Sequence, residues 1–239
     1  MPNPTAAMLV IGDEILSGRT RDANMHFLAN EFTRHGVDLQ EVRIVSDKRA
    51  AIVAALNALR ATYDVVVTSG GIGPTHDDIT ADCVAEAFGV GIDVRDDARA
   101  LLAAHYDRQG MEFNTARMRM ARIPAGATLI DNPVSIAPGF TIGNVHVMAG
   151  VPAVFQAMVA SVLPTITGGA PLLSQSLRIL RGEGEIAGPL GALAQEFDDL
   201  QFGSYPFQKD GVFGANVVIR GHDAGRLDTA MTRLAEMFG

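Results

Sequence analysis

The sequence predicts an α/β fold: a three-layer sandwich on a mostly parallel sheet, followed by a small C-terminal α+β lobe. Three observations carry this. Strand-like and helix-like periods alternate from the start, giving β-α-β-α-β over the first 70 residues. The third of these strands, in "DVVVTSGG" at 64–71, is almost entirely β-branched, as a parallel strand buried on both faces would be. Around "LPTITGGAPLL" at 163–173 the periodicity lapses, then restarts in a different pattern, as at a domain boundary. The expected domains are 1–168 and 172–239.

The elements follow in order. "AAMLVI" at 6–11 is a short apolar strand. "DANMHFLANEFTRHG" at 22–36 opens on Asp22 as an N-cap, carries Met25, Leu28, Ala29 and Phe32 at helical spacing, and stops at Gly36. A strand at 37–45 and a helix at 49–61, with Ile52, Leu56 and Leu59 on one face, lead to the β-branched strand. Helices are expected at 78–88, 96–108, 113–121 and 152–163, and strands at 128–130, 135–141 and 144–148. The lobe reads as a strand at 175–181, a helix at 185–200 with Ile186, Leu190, Leu193 and Phe197 in register, strands at 201–205 and 212–220, and a helix at 224–238.

Composition narrows the function classes. The 239 residues are 48% hydrophobic and 19% charged, with a formal charge of -8, which argues against a nucleic-acid partner needing a clustered basic face. No run approaches the roughly 18 apolar residues of a membrane span. Residues 1–11 lack the basic start of a cleavable signal, so a cytoplasmic protein with no membrane partner is expected. The single Cys83 falls on an apolar helical stripe with Ile79, Val84, Ala87 and Phe88 and reads as core packing.

Chemistry concentrates in "TSGGIGPTHDDIT" at 68–80. The loop leaving the third strand lies at the carboxyl edge of a parallel sheet, where such folds take ligands. Gly70, Gly71 and Gly73 let main-chain N–H groups approach an anion, with phosphate the natural guest. Pro74 stiffens the loop exit, and Thr75, Asp77, Asp78 and Thr80 lie where a helix begins. Capping that helix needs only one carboxylate. Two beside an anion repel it by ~1 kcal/mol or more unless a cation intervenes. Oxygen-only donors point to a Mg²⁺-like ion. After the first strand, "IGDEILSGRTRDAN" adds Asp13 and Glu14 on the same rim and the amide of Asn24 a turn into the helix. "DNPVSIAPGF" contributes Pro138 and Gly139, as backbone donors or simply as a turn. His76, and the cluster Arg117, Arg119 and Arg122, read equally as ligand contacts or as exposed surface.

"IGDEILSG", "TSGGIGPTHDDIT" and "APGF" together resemble the molybdopterin-binding (MoaB/Mog-like) family, and within it the branch formed by the N-terminal domain of competence/damage-inducible protein CinA. Eukaryotic FAD synthase carries a similar domain, and "GSYPF" at 203–207 also resembles the CinA branch. The resemblance implies a pterin or nucleotide as small-molecule ligand. It also implies divalent-cation-dependent hydrolysis of a dinucleotide pyrophosphate such as ADP-ribose or FAD. Carried over, Gly70, Gly71 and Gly73 hold phosphate, Asp13, Asp77 and Asp78 are catalytic candidates, and Asp13, Glu14, Asp77 and Asp78 are metal candidates. A homo-oligomer is expected, since such domains usually associate. The alternatives are a molybdopterin-binding protein of molybdenum cofactor handling and a noncatalytic regulatory module. Two departures stand out: Ser135-Ile136 replaces the branch's Gly-Thr before Ala-Pro-Gly, and Ala149 replaces Pro before Gly-Val-Pro.

Overall fold

A computed structural model describes residues 2–209 and 211–238. The chain divides into two compact units between Gly169 and Ala170.

The first unit contains β1 (Thr5–Ile11), α1 (Asp13–Leu16), α2 (Asn24–His35), β2 (Asp38–Val45), α3 (Arg49–Thr62), β3 (Val65–Ser69), α4 (Thr80–Phe88), β4 (Ile92–Val94), α5 (Asp96–Arg108), α6 (Thr115–Met118), β5 (Arg122–Pro124), β6 (Thr128–Ile130), β7 (Gly139–Ile142), β8 (Val145–Met148) and α7 (Pro152–Val162). Six strands form one sheet in the order β2-β1-β3-β8-β7-β6. The first four run parallel, and β7 is antiparallel to both its neighbours. Because side chains alternate across a strand, β1 buries Ala7, Leu9 and Ile11 on one face and Ala6, Met8 and Val10 on the other. The first set packs against Ile52 and Leu56 of α3, Cys83 of α4 and Leu102 of α5. The second packs against Leu28 and Phe32 of α2 and Phe155 and Met158 of α7. Three layers result.

The ends of α2 show how local sequence sets its length. Asp22 Oδ1 accepts the Met25 N–H at 2.8 Å, and Gly36 closes the helix with φ 72, a left-handed turn that costs glycine nothing. Elsewhere the expected boundaries move. The helix expected at 113–121 is only α6 followed by a 3₁₀ turn at Arg119–Ala121. The strand expected from 135 begins at Gly139, because Pro138 has no N–H to offer a ladder and Ile136 sits at φ 64. The short pair β4 and β5, antiparallel to each other, has too few residues to show a period.

Cys83 is buried and burial pushes its thiol up to about 11, as suits a core residue. His146, on β8, is buried beside the Thr141 hydroxyl, 2.9 Å from its Nδ1, and burial pushes its pKa down to about 4. The native ring therefore stays neutral at a pH where the unfolded chain binds a proton. Its contribution to stability is intact above pH ~6.5 and is lost as pH falls toward 4, a difference of about 3 kcal/mol. Urea unfolding of the parent and of His146→Gln at pH 7 and pH 4.5 checks this: the acid loss should be smaller in the variant by up to that amount.

The second unit comprises β9 (Leu173–Ile179), α8 (Glu183–Glu196), β10 (Gln201–Lys209), β11 (Val212–Gly221) and α9 (Ala224–Phe238). The strands form an antiparallel sheet in the order β10-β11-β9. Both helices cover one face, with Ile186 and Leu193 of α8 and Leu227 and Leu234 of α9 packed on Ile179, Val217 and Ile219. No helix among the described residues is long and apolar enough to cross a membrane.

Candidate functional site

The sheet order places β1 between β2 and β3, so the chain reverses direction across the sheet there. The carboxyl ends of β1, β2, β3 and β8 share one rim, where an open α/β sheet offers a ligand crevice. A cleft of about 720 Å³ lies on this rim, within the ~300–1,000 Å³ of small-molecule sites. Its walls come from Ile11, Gly12 and Glu14 at the end of β1, Thr20, Asp47 after β2, Gly70 to Gly73 with Asp77 and Asp78 after β3, Met120, Asn132, Ser135 and Ala137 before β7, and Ala149 to Pro152 with Val154 after β8.

The glycine corner is built as much by packing as by its opening to the cleft. Gly70 has φ 108, and a Cβ there would lie 2.2 Å from the Ile11 carbonyl oxygen. A Cβ on Gly71, at φ 68, would meet Thr80 Oγ1 at 2.2 Å, and one on Gly73 would meet Asp78 Oδ2 at 2.6 Å. The Gly70 N–H donates to the Met148 carbonyl at 3.1 Å, whereas those of Gly71, Ile72 and Gly73 make no hydrogen bond within the described residues. Three adjacent amides on the cleft wall are thus available to an acceptor.

The carboxylates divide by role. Asp78 Oδ2 accepts both the N–H and the hydroxyl of Thr75 and so closes the 75–78 turn. It does not cap α4, whose first residue is Thr80 and whose N-cap position, Ile79, has no side-chain bond. The one proton of the Thr75 hydroxyl is spent on Asp78. Asp47, which the sequence reading overlooked, accepts the Asp13 N–H at 2.8 Å. Burial pushes the Asp47 pKa up, and the charges of Asp13, Glu14 and Asp77 push the same way. Glu14, Asp47, Asp77 and Asp78 line the cleft; none of the described residues lining it is Lys, Arg or His.

Other expected ligand residues lie elsewhere. Asn24 is buried, its Nδ2 donating to Ser69 Oγ and to the Gly150 carbonyl, both at 2.8 Å. It ties the β3 corner to the loop after β8 instead of facing the cleft. Thr80 is buried with its hydroxyl on the Gly70 carbonyl at 3.0 Å. Gly139 is buried in β7, where a Cβ would meet the Val147 carbonyl at 2.3 Å. Pro138 lines only a small neighbouring recess, while Pro74, Thr75 and Asp13 are outside the cleft lining. His76 points to solvent, its side chain 99% exposed. Arg122 forms two 2.7 Å bonds to Asp82, Arg117 stacks on Tyr106, and Arg119 donates to the Asp78 carbonyl at 3.3 Å.

The two departures both touch the cleft. Ser135 and Ala149 line it, and Ile136 has φ 64, a conformation that β-branched residues rarely adopt. Asn132 holds this turn, accepting the N–H groups of Val134 and Ser135 and donating to the Ser135 hydroxyl and the Ala137 carbonyl. Its side chain is fully used by the turn.

Sheet, rim and cleft define an α/β protein with a cleft of small-molecule size at the carboxyl edge of a mostly parallel sheet. The chain belongs to the family described as probable molybdopterin binding domain, which matches residues 7–168, while residues 171–239 match the FAD synthase middle domain. It is 31% identical to a probable FAD synthase of Caenorhabditis elegans, covering 98% of this chain and 50% of that one. It is 37% identical to a CinA-like protein of Myxococcus xanthus (strain DK1622), covering 66% and 39%. The chain thus spans about half or less of the length of these relatives. Among solved structures it resembles the protein CinA with unknown function from Thermoplasma acidophilum, at 32% identity and a TM-score of 0.63, over 69% of this chain and 99% of that one.

Proposed function

We propose that the cleft binds the diphosphate of a dinucleotide together with a divalent cation, and that the protein is a cation-dependent pyrophosphatase acting on ADP-ribose, FAD or a similar compound. The observation that carries this is the pairing of opposite demands in one cleft. Three unengaged amides at Gly71, Ile72 and Gly73 suit an anion, while Glu14, Asp47, Asp77 and Asp78, with no basic side chain among them, exclude a bare one. A phosphate accompanied by a cation satisfies both.

The donor set fits a hard ion, being carboxylate oxygen throughout. Among the described residues no three His, Cys, Asp or Glu side chains converge to hold a metal alone. That suits Mg²⁺, which usually takes one or two carboxylates and completes its shell with water and substrate phosphate. Asp47 and Asp77, with Glu14 beside them, are the side chains to hold it. Bound there, a cation neutralises phosphate charge and polarises the phosphorus–oxygen bonds. The free amides hold a nonbridging oxygen and stabilise the charge that develops on it. Glu14, the cleft carboxylate left beside the two that hold the cation, takes a proton from the attacking water. A new water-oxygen–phosphorus bond forms as the bridging phosphorus–oxygen bond breaks, so ADP-ribose yields AMP and ribose 5-phosphate. Ile72, Met120, Val151 and Val154 give the cleft an apolar wall suited to a planar ring. The name of the Caenorhabditis relative supports a flavin nucleotide as one ring-bearing candidate.

Chromatographic detection of AMP after incubation with ADP-ribose, FAD, NAD and diadenosine compounds tests the proposal. Release is expected with Mg²⁺, Mn²⁺ or Co²⁺ and not with EDTA; no release from any of them under any cation would overturn it. The family match favours a second reading, in which the same wall and amides hold molybdopterin without hydrolysis. Pterin retained through purification from a molybdopterin-producing host, with no AMP release, would support that reading.

A further inference from the structure

The second unit covers only one face of its three-stranded sheet with helices. The register brings Tyr205 and Phe207 of β10, Asn216 and Arg220 of β11 and Arg178 of β9 onto the opposite face. Two glycines make the floor for the rings. A Cβ on Gly203 would come within 3.0 Å of the Tyr205 ring, and one on Gly214 within 2.8 Å of the Phe207 ring. The Arg178 guanidinium lies 4.1 Å from the Phe207 centroid, and Arg220 reaches the Tyr205 hydroxyl at 3.5 Å. Tyr205 is 49% exposed, and Arg178, Asn216 and Arg220 are exposed. In a chain with 27 acidic and 19 basic residues, the described β-strand residues of this face include no Asp or Glu.

We infer that this face binds a single-stranded nucleic acid, with Tyr205 and the Phe207 ring capped by the Arg178 guanidinium forming the platform on which bases stack, and Arg178 and Arg220 supplying the positive charge that meets phosphates. Rings two residues apart on one strand, on a flat sheet with flanking arginines, are the arrangement that accepts unpaired bases without regard to sequence. The strip from Gln201 to Phe207 is seven residues long, about 20 Å over six rises of a β-strand, and favours an extended strand over a mononucleotide. The acidic remainder of the chain repels a polyanion at long range, so binding is weak and local. The earlier expectation of no nucleic-acid partner was drawn from net charge, which averages over a face of the opposite sign.

The test is fluorescence anisotropy of a labelled mixed-sequence 12-mer, as RNA and as DNA, with the full chain at low salt, beside the same sequence as a duplex. Saturable binding of the single strands is expected, with the duplex much weaker and a log–log salt slope of about -1.4 for two phosphate contacts. Tyr205→Ala or Phe207→Ala should each weaken binding about tenfold. Arg178→Gln or Arg220→Gln should each reduce the slope to about -0.7. The arginine variants alter exposed positions, so their circular dichroism should match the parent even if an aromatic variant misfolds. No saturable binding, or binding unchanged in all four variants, would overturn the inference. So would variants that alter only the mass measured by light scattering, which would assign the face to a second copy of the chain. AMP release is read separately and should be unaffected by the arginine variants.

Discussion

Asp47→Asn and Asp77→Asn are each expected to lower cation-dependent kcat/KM on ADP-ribose or FAD by ~10²-fold or more, equivalent to roughly 2.7 kcal/mol of transition-state stabilisation. Neither change should cost much stability. Asn at 47 still accepts the Asp13 N–H, and it removes a carboxylate that burial and three neighbouring charges disfavour in the folded chain. Asp77 is exposed and bonds no other residue's backbone among the described residues. Asp78→Asn is the contrasting variant. Its carboxylate closes the 75–78 turn, so that change should disturb the loop as well as the charge. Kinetics with Mg²⁺ and melting temperatures in EDTA separate the two effects. Full activity in both Asp47→Asn and Asp77→Asn would remove the carboxylates from the chemistry.

Gly70→Ala should be the most damaging single change at the corner. Its φ of 108 lies where a side chain is strained, and the new Cβ would sit 2.2 Å from the Ile11 carbonyl oxygen. That oxygen belongs to β1, which is paired on both sides and cannot withdraw without breaking a ladder. Backbone strain costs ~1–3 kcal/mol, and displacing β1 adds to it. A total of about 3 kcal/mol would lower the melting temperature by roughly 6–12 °C in a chain of this size. Thermal unfolding followed by circular dichroism checks it. Gly89→Ala, at φ 64 with nothing within 4 Å of its Cβ, is the control for strain alone and should lose less.

The parallel core was legible because its signals are local. The β-branched run of β3, Gly36 at the end of α2 and the apolar stripe of α3 each point one way, and each lies where expected. Elements set by tertiary contacts were not legible. The β4–β5 pair and the loop at 135–138 depend on partners distant in sequence or on a strained φ that no residue type announces. The same divide runs through the site. Gly70, Gly71, Gly73, Glu14, Asp77 and Asp78 meet around one cleft because the loops after β1 and β3 are neighbours in a parallel sheet. Asn24, Thr80 and Gly139 have the polarity or smallness of ligand contacts, yet they serve the corner's own packing. Asp47 follows β2 as Asp13 follows β1, and its place on the shared rim was the signal available in "IVSDKR".

This acidic cleft is expected to accept a diphosphate only in company with a cation. Calorimetric titration of the protein with a methylene-bridged, non-hydrolysable ADP-ribose analogue tests it most directly, once with Mg²⁺ and once in EDTA. Binding at least tenfold tighter with Mg²⁺, with the gain lost in Asp47→Asn and Asp77→Asn, is the predicted result. Equal affinity in EDTA, or no binding under either condition, would contradict it.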